Sequence, residues 1–113
     1  MKVNTEDIGG KIIRDTDVYQ VIDNKFLNNL TLSKTILYPM QCTSGHSHAG
    51  LEEVYFFQRG AGRMQLDHEN TETILSVRAG DIVLIPDGAY HRVFNSSDAD
   101  DLEFVCVFQS YER

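Results

Sequence analysis

Apolar and polar residues alternate in short runs along this chain, and no run holds the 3.6-residue period of a helix. In residues 1–24 the apolar positions come as Ile12-Ile13, Val18-Tyr19 and Val21-Ile22, with Gly9-Gly10 and Asp23-Asn24 as turns. Residues 27–40 form the next strand region. There Leu30, Leu32, Ile36, Tyr38 and Met40 share one parity, broken by Lys34, so one face is mostly apolar. Pro39 ends or edges that strand. Residues 41–51 are turn-rich, and residues 53–58 are a continuous, aromatic strand. Gly60-Ala61-Gly62 signals a hairpin, with residues 63–67 returning and residues 68–73 as a second turn. Strands follow at 74–77, at 82–85 before Pro86, at 90–94, and at 102–108 after the polar loop 95–101. Some nine to eleven short strands separated by turns predict an all-β protein. A chain of this size closes them as a small barrel or a double-sheet jelly roll, which also removes exposed sheet edges.

Composition narrows the reading. A length of 113 residues suits one domain spanning 1–113. The net charge is −7, and the ten basic residues are scattered. That excludes a nucleic-acid or anionic-membrane surface, both of which need clustered Lys and Arg. No apolar stretch approaches a membrane span, and the first residues lack the long apolar run of a signal peptide, so a cytoplasmic location is expected. Cys42 and Cys106 then read as reduced thiols. Cys106 falls within an apolar strand as a buried, inert thiol, while Cys42 precedes His46 by four residues and is a weak candidate ligand.

The histidines change the picture most. Three of the four fall at two places, His46/His48 and His91. His68, beside Asp67 and Glu69 in a polar turn, reads as a surface residue. On a strand, residues i and i+2 face one side, roughly 7 Å apart at about 3.3 Å per residue. Two imidazoles so placed, with a carboxylate on a nearby strand, can hold a metal ion. Glu52 and Glu53 compete for that carboxylate role, and since adjacent strand residues face opposite sides, only one points inward.

The spacing carries more. His46-x-His48 is followed after four residues by Glu53 and after six more by Gly60; Gly80 leads through five residues to Pro86-x-Gly88, then His91 and Asn95. This resembles the cupin superfamily, whose two motifs read G-x5-H-x-H-x3-4-E-x6-G and G-x5-P-x-G-x2-H-x3-N. The motifs cover residues 40–60 and 80–95; the second is complete, and the first lacks only its opening glycine, where Met40 stands. A glycine there would allow a positive φ that methionine resists, so this turn is expected to bend differently. The resemblance implies a double-stranded β-helix with His46, His48, Glu53 and His91 as ligands of one divalent metal ion. The six-residue step to Gly60 selects Glu53 over Glu52. Imidazoles with one carboxylate suit Fe, Mn, Ni, Co or Zn.

If Glu53 points inward, strand parity turns Tyr55 and Phe57 inward too; His91 likewise brings Val93 and Asn95, and Phe104, Cys106 and Phe108 can line the same cavity. Tyr55 is the candidate catalytic acid or base, because a nearby cation lowers a phenol's pKa. Tyr38, Tyr90 and Gln41 are weaker candidates, and Arg63 belongs on the surface. The resemblance implies a metal-dependent enzyme acting on a small molecule, of the dioxygenase, sugar isomerase or lyase class. The alternative is a non-catalytic ligand-binding or sensing module with metal in its site. A homodimer built through the strands of residues 1–40 is expected, those being more material than a minimal barrel needs.

Overall fold

The β-branched and aromatic run LEFVCVFQ forms β9 (Leu102–Gln109), and the larger of two sheets is assembled on both of its edges. The computed structural model describes residues 1–111, and nine strands lie among them. The others are β1 (Lys11–Asp15), β2 (Tyr19–Asn24), β3 (Leu30–Leu37), β4 (Glu53–Arg59), β5 (Ala61–His68), β6 (Thr71–Arg78), β7 (Ile82–Ile85) and β8 (Tyr90–Asn95). One sheet has the order β1-β2-β3-β9-β4-β7 and the other β6-β5-β8, with antiparallel pairing throughout. The two sheets make the expected all-β jelly roll. Among the described residues no helix is long and apolar enough to cross a membrane. The expected domain end at Arg113 lies outside the described residues.

Inward-facing side chains of both sheets meet in one core. Leu37 and Leu102 are fully buried in it, with Phe57 and Phe104 from the large sheet facing Met64 and Val93 from the small one. Beside this core an open cavity of about 500 Å³ is lined mainly by the large sheet and the loop before β4.

Two turns differ from the sequence reading. Gly60 is not the tip of a hairpin: β4 pairs with β9 and β7, whereas β5 pairs with β6 and β8. The chain turns a corner between sheets there, with φ 86°, and a Cβ at Gly60 would meet the Asp101 carbonyl oxygen. The true hairpin joins β5 to β6 through Glu69-Asn70, at φ 51° and 62°. His68 and residues 71–73 are therefore strand.

β3 also departs from expectation, in an informative way. Its apolar parity, Leu32 and Ile36, lies on the outer side of the sheet, while Ser33 and Thr35 line the cavity. Lys34 on the outer side is buried, pairing with Glu103 at 3.1 Å. Its Nζ also donates to the carbonyl oxygens of Thr5 and Glu6, at 2.9 and 3.0 Å. That pins the N-terminal segment across this face, where Ile8 is buried and Asn24 Nδ2 donates to its carbonyl oxygen.

Met40 adopts φ 62°, so the turn keeps the positive φ a glycine would take and does not bend differently. Tyr38-Pro39-Met40-Gln41 is a turn with Pro second and the positive φ third, closed by Gln41 N–H donating to the Tyr38 carbonyl at 3.2 Å.

Candidate metal centre

β4 lies between β9 and β7, so Glu53 is held on both sides, opposite Phe108 and Ile85. Its side chain is buried, while Glu52, facing the other way, is exposed. His91 is the second residue of β8 and is fully buried. His46 lies outside the named strands, on a loop joined to β8 by two bridges, Cys42 with Phe94 and His46 with His91, the latter with backbone hydrogen bonds of 3.1 and 2.9 Å. A Cβ at Gly45, just before His46, would overlap the outer end of the Tyr90 side chain as it is placed here.

Three of the four expected ligands converge. One donor atom each from His46, Glu53 and His91 lie within 4.8 Å of one another. Donors bound at about 2.1 Å to a single ion lie at most about 4.2 Å apart, so the cluster is already near ion-binding dimensions. His48 stands one step aside. Its ring centroid is 4.7 Å from that of His46, and its Nε2 meets the Tyr111 hydroxyl at 3.2 Å.

The protonation pattern fits a cation. His91 Nδ1 lies 3.0 Å from the Ala89 carbonyl oxygen, which can only accept, so Nδ1 carries the proton. The other ring nitrogen, Nε2, faces Glu53 Oε2 at 2.8 Å, with both side chains buried. At that distance a proton or a metal ion lies between the two atoms. Burial, and then the neighbouring His91, pull the His46 pKa below its ordinary value, against the opposing pull of Glu53. Burial works against ionisation of Glu53, but the His91 hydrogen bond and the surrounding imidazoles outweigh it and hold the carboxyl below its ordinary range. A neutral imidazole beside an ionised carboxylate is the donor state a divalent ion needs.

Tyr55 is buried on the same strand, two residues beyond Glu53. Its ring stacks on Phe104 at 5.2 Å and meets the His91 ring edge-on at 5.6 Å. Phe104, Cys106 and Phe108 line the cavity with it, whereas Phe57 and Val93 pack in the core. Tyr38, Tyr90, Gln41 and Arg63 lie outside the cavity lining. Cys42 is not in the cluster; its sulfur accepts from Arg92 at 3.2 Å. Tyr111, Tyr19 and Arg14 also line the cavity and carry no motif that marks them.

Comparison with known proteins bears on the fold and the family. An uncharacterized protein of Methanocaldococcus jannaschii, MJ1618, is 32% identical over 81 residues, covering 72% of this chain and 55% of its own. This chain therefore spans about half of that relative. Among solved structures, a deletion mutant of Bacillus subtilis oxalate decarboxylase OxdC superposes with a TM-score of 0.82 at 20% identity, over 98% of this chain and 30% of that one. The capsular polysaccharide assembling protein CapF of Staphylococcus aureus gives 0.78 at 20% identity, over 88% and 30%. Vicilin from Corylus avellana gives 0.79 at 22% identity, over 94% and 33%. These likenesses speak for the fold. The cupin-domain family model covers residues 35–108, from β3 to β9 and across both motifs, and the chain belongs to the cupin family.

Proposed function

We propose that His46, His48, Glu53 and His91 hold one divalent metal ion, and that the protein is an enzyme acting on a small molecule in the adjoining cavity. The observation that carries this reading is the convergence of donor atoms from His46, Glu53 and His91 within 4.8 Å of one another, with Glu53 and His91 buried. For His48 to join the set, its Nε2 exchanges the Tyr111 hydroxyl for the ion. Four protein donors leave positions free on a six-coordinate ion, which would supply Lewis acidity or, as iron, oxygen activation. The aromatic wall of Tyr55, Phe104 and Phe108 orients the substrate and keeps water from one side of it. Tyr55 is the residue placed to move a proton, on the cavity wall and in contact with a ligand ring.

The reaction is a dioxygenation, a sugar isomerisation or a lyase step. These part under one experiment: metal analysis of protein purified without added metal, then a substrate panel under air and under argon. Iron with oxygen uptake identifies a dioxygenase, and turnover under argon an isomerase or lyase, in which Tyr55→Phe retains metal and loses turnover. Tight binding without turnover replaces the enzyme reading with a binding module. Glu53→Ala is expected to lose the metal and Glu52→Ala to keep it; the reverse sinks the ligand set. All five residues of β1 are exposed, Ile12 and Ile13 among them, which supports a homodimer through the N-terminal strands. Light scattering showing a monomer at micromolar concentration counts against that.

A further inference from the structure

β1 meets β2 with a one-residue irregularity. Lys11 stands opposite Asp23 and Ile12 opposite Ile22, but the next partners are Arg14 with Val21 and Asp15 with Gln20. Ile13 is the extra residue, a β-bulge. Its effect on side-chain direction follows from the two-residue period of a strand. In unbroken register Arg14 would face Gln20 and share the outer side with Ile22. The bulge sets it instead beside Val21, which lines the cavity, and Arg14 lines the cavity too. Bulges commonly re-aim one side chain next to a site.

Arg14 is the only Lys or Arg lining this cavity among the described residues, and its guanidinium makes no hydrogen bond or ion pair with any of them. Two other arginines are engaged, Arg59 with Glu103 at 3.3 Å, and Arg92 with Cys42 and over the Phe94 ring. An unengaged guanidinium, turned into a cavity by an irregular register, is free to bind a ligand. Its planar fork matches a carboxylate with two parallel hydrogen bonds.

The wall between Arg14 and the ligand cluster is hydroxylic. Val21 pairs with Thr35, which lies in the Arg14 row; two residues along β3, Ser33 pairs with Cys106, which pairs with Tyr55, the residue against His91. Thr35 and Ser33 therefore offer hydrogen bonds along the way from one end of the cavity to the other. The protein as a whole carries −7, a field that repels anions at long range, so any affinity for an anion has to arise locally. The cavity supplies that in Arg14 and, when loaded, in the metal ion.

We infer that Arg14 is the anion-recognising residue of this cavity. The ligand is a small organic carboxylate whose carboxylate docks on Arg14 and which carries a second oxygen donor for the metal. Only the second donor rests on the metal reading; the Arg14 contact does not.

The test titrates formate, glycolate, malonate and succinate, with malonamide as the neutral counterpart, into 15N-labelled protein with and without Mn2+. The Arg14 Nε–Hε signal reports on the carboxylate, and Mn2+ water-proton relaxation reports on the metal. At least one of the acids is expected to shift the Arg14 signal and to bind tenfold or more tightly than malonamide. Arg14→Ala should weaken that acid about tenfold or more with Mn2+ uptake unchanged. Arg14→Lys should recover part of the affinity, and Arg63→Ala, outside the cavity, should leave it as in wild type. Equal binding by wild type and Arg14→Ala, malonamide binding as tightly as the acids, or no acid bound at millimolar concentration would each overturn the inference. Failure of Mn2+ to bind, with the Arg14 signal still shifting, defeats the metal reading and leaves this one standing.

Discussion

Replacing Met40 by glycine and by alanine separates backbone strain from side-chain contact. Met40 sits at φ 62° and is 66% exposed, with its N–H donating to the Ser97 carbonyl at 2.9 Å. Both substitutions remove the same thioether and keep the N–H, so whatever contact the side chain makes cancels between them. What remains is the backbone. An L-residue in the left-handed region costs about 1–2 kcal/mol, which alanine keeps and glycine sheds. Glycine also loosens the unfolded chain, which offsets about 0.4–1 kcal/mol of that gain. The balance favours Met40→Gly over Met40→Ala by about 0.5–1 kcal/mol, the reverse of the usual Ala-over-Gly order inside an element. For a domain near this size that is a melting difference of a few degrees, since about 1 kcal/mol shifts Tm by roughly 4–8 °C at 60–100 residues. Urea unfolding and calorimetry of metal-free protein measure it. If Met40→Ala proves the more stable variant, the strain argument fails.

Two further outcomes follow from buried charge. His46 and Glu53 are both held below their ordinary pKa values of 6.5 and 4.5, so on acidification the unfolded chain takes up protons the folded one refuses. Metal-free protein should therefore lose stability as pH falls below about 6.5, with a second loss below 4.5 that is complete once pH passes under the folded value of Glu53; a flat urea midpoint from pH 7 to 4 would contradict this. Lys34→Met leaves Glu103 buried with only Arg59 beside it and should destabilise by about 3 kcal/mol, while Lys34→Met with Glu103→Leu should recover most of that, both read by urea unfolding.

Much of this molecule is legible before folding. Strand β7 falls at residues 82–85 as its run of four apolar residues and Pro86 suggest, and Glu53 is the carboxylate that faces inward. Both rest on local rules, strand parity and turn residues. The misreadings share a different cause. Gly60 has the composition of a hairpin but serves as a corner, because its neighbour in space is Asp101, far along the chain. The apolar side of β3 lies outside because the barrel interior holds a hydroxyl-lined cavity and the N-terminal segment covers the outer face. His48 has the right spacing, yet its partner here is Tyr111, a residue no motif marks. Arg14 reaches the cavity through a bulge that no composition rule places. Each of these depends on which strand lies beside which.

The place of β9 has a consequence for how the chain is made. It is the last of the nine strands to leave the ribosome, yet it separates β3 from β4 in the finished sheet. Until it arrives, β3 and β4 have no common partner, and Leu102, Phe104 and Phe108 are missing from the interior. Glu103, the partner of Lys34, comes at the same moment, so the N-terminal segment lacks that anchor until then. Until β9 is made, the nascent chain carries unpaired strand edges on β3 and β4. A ribosome stalled shortly before residue 102 would hold a chain with both metal motifs complete and no enclosed site for an ion to enter.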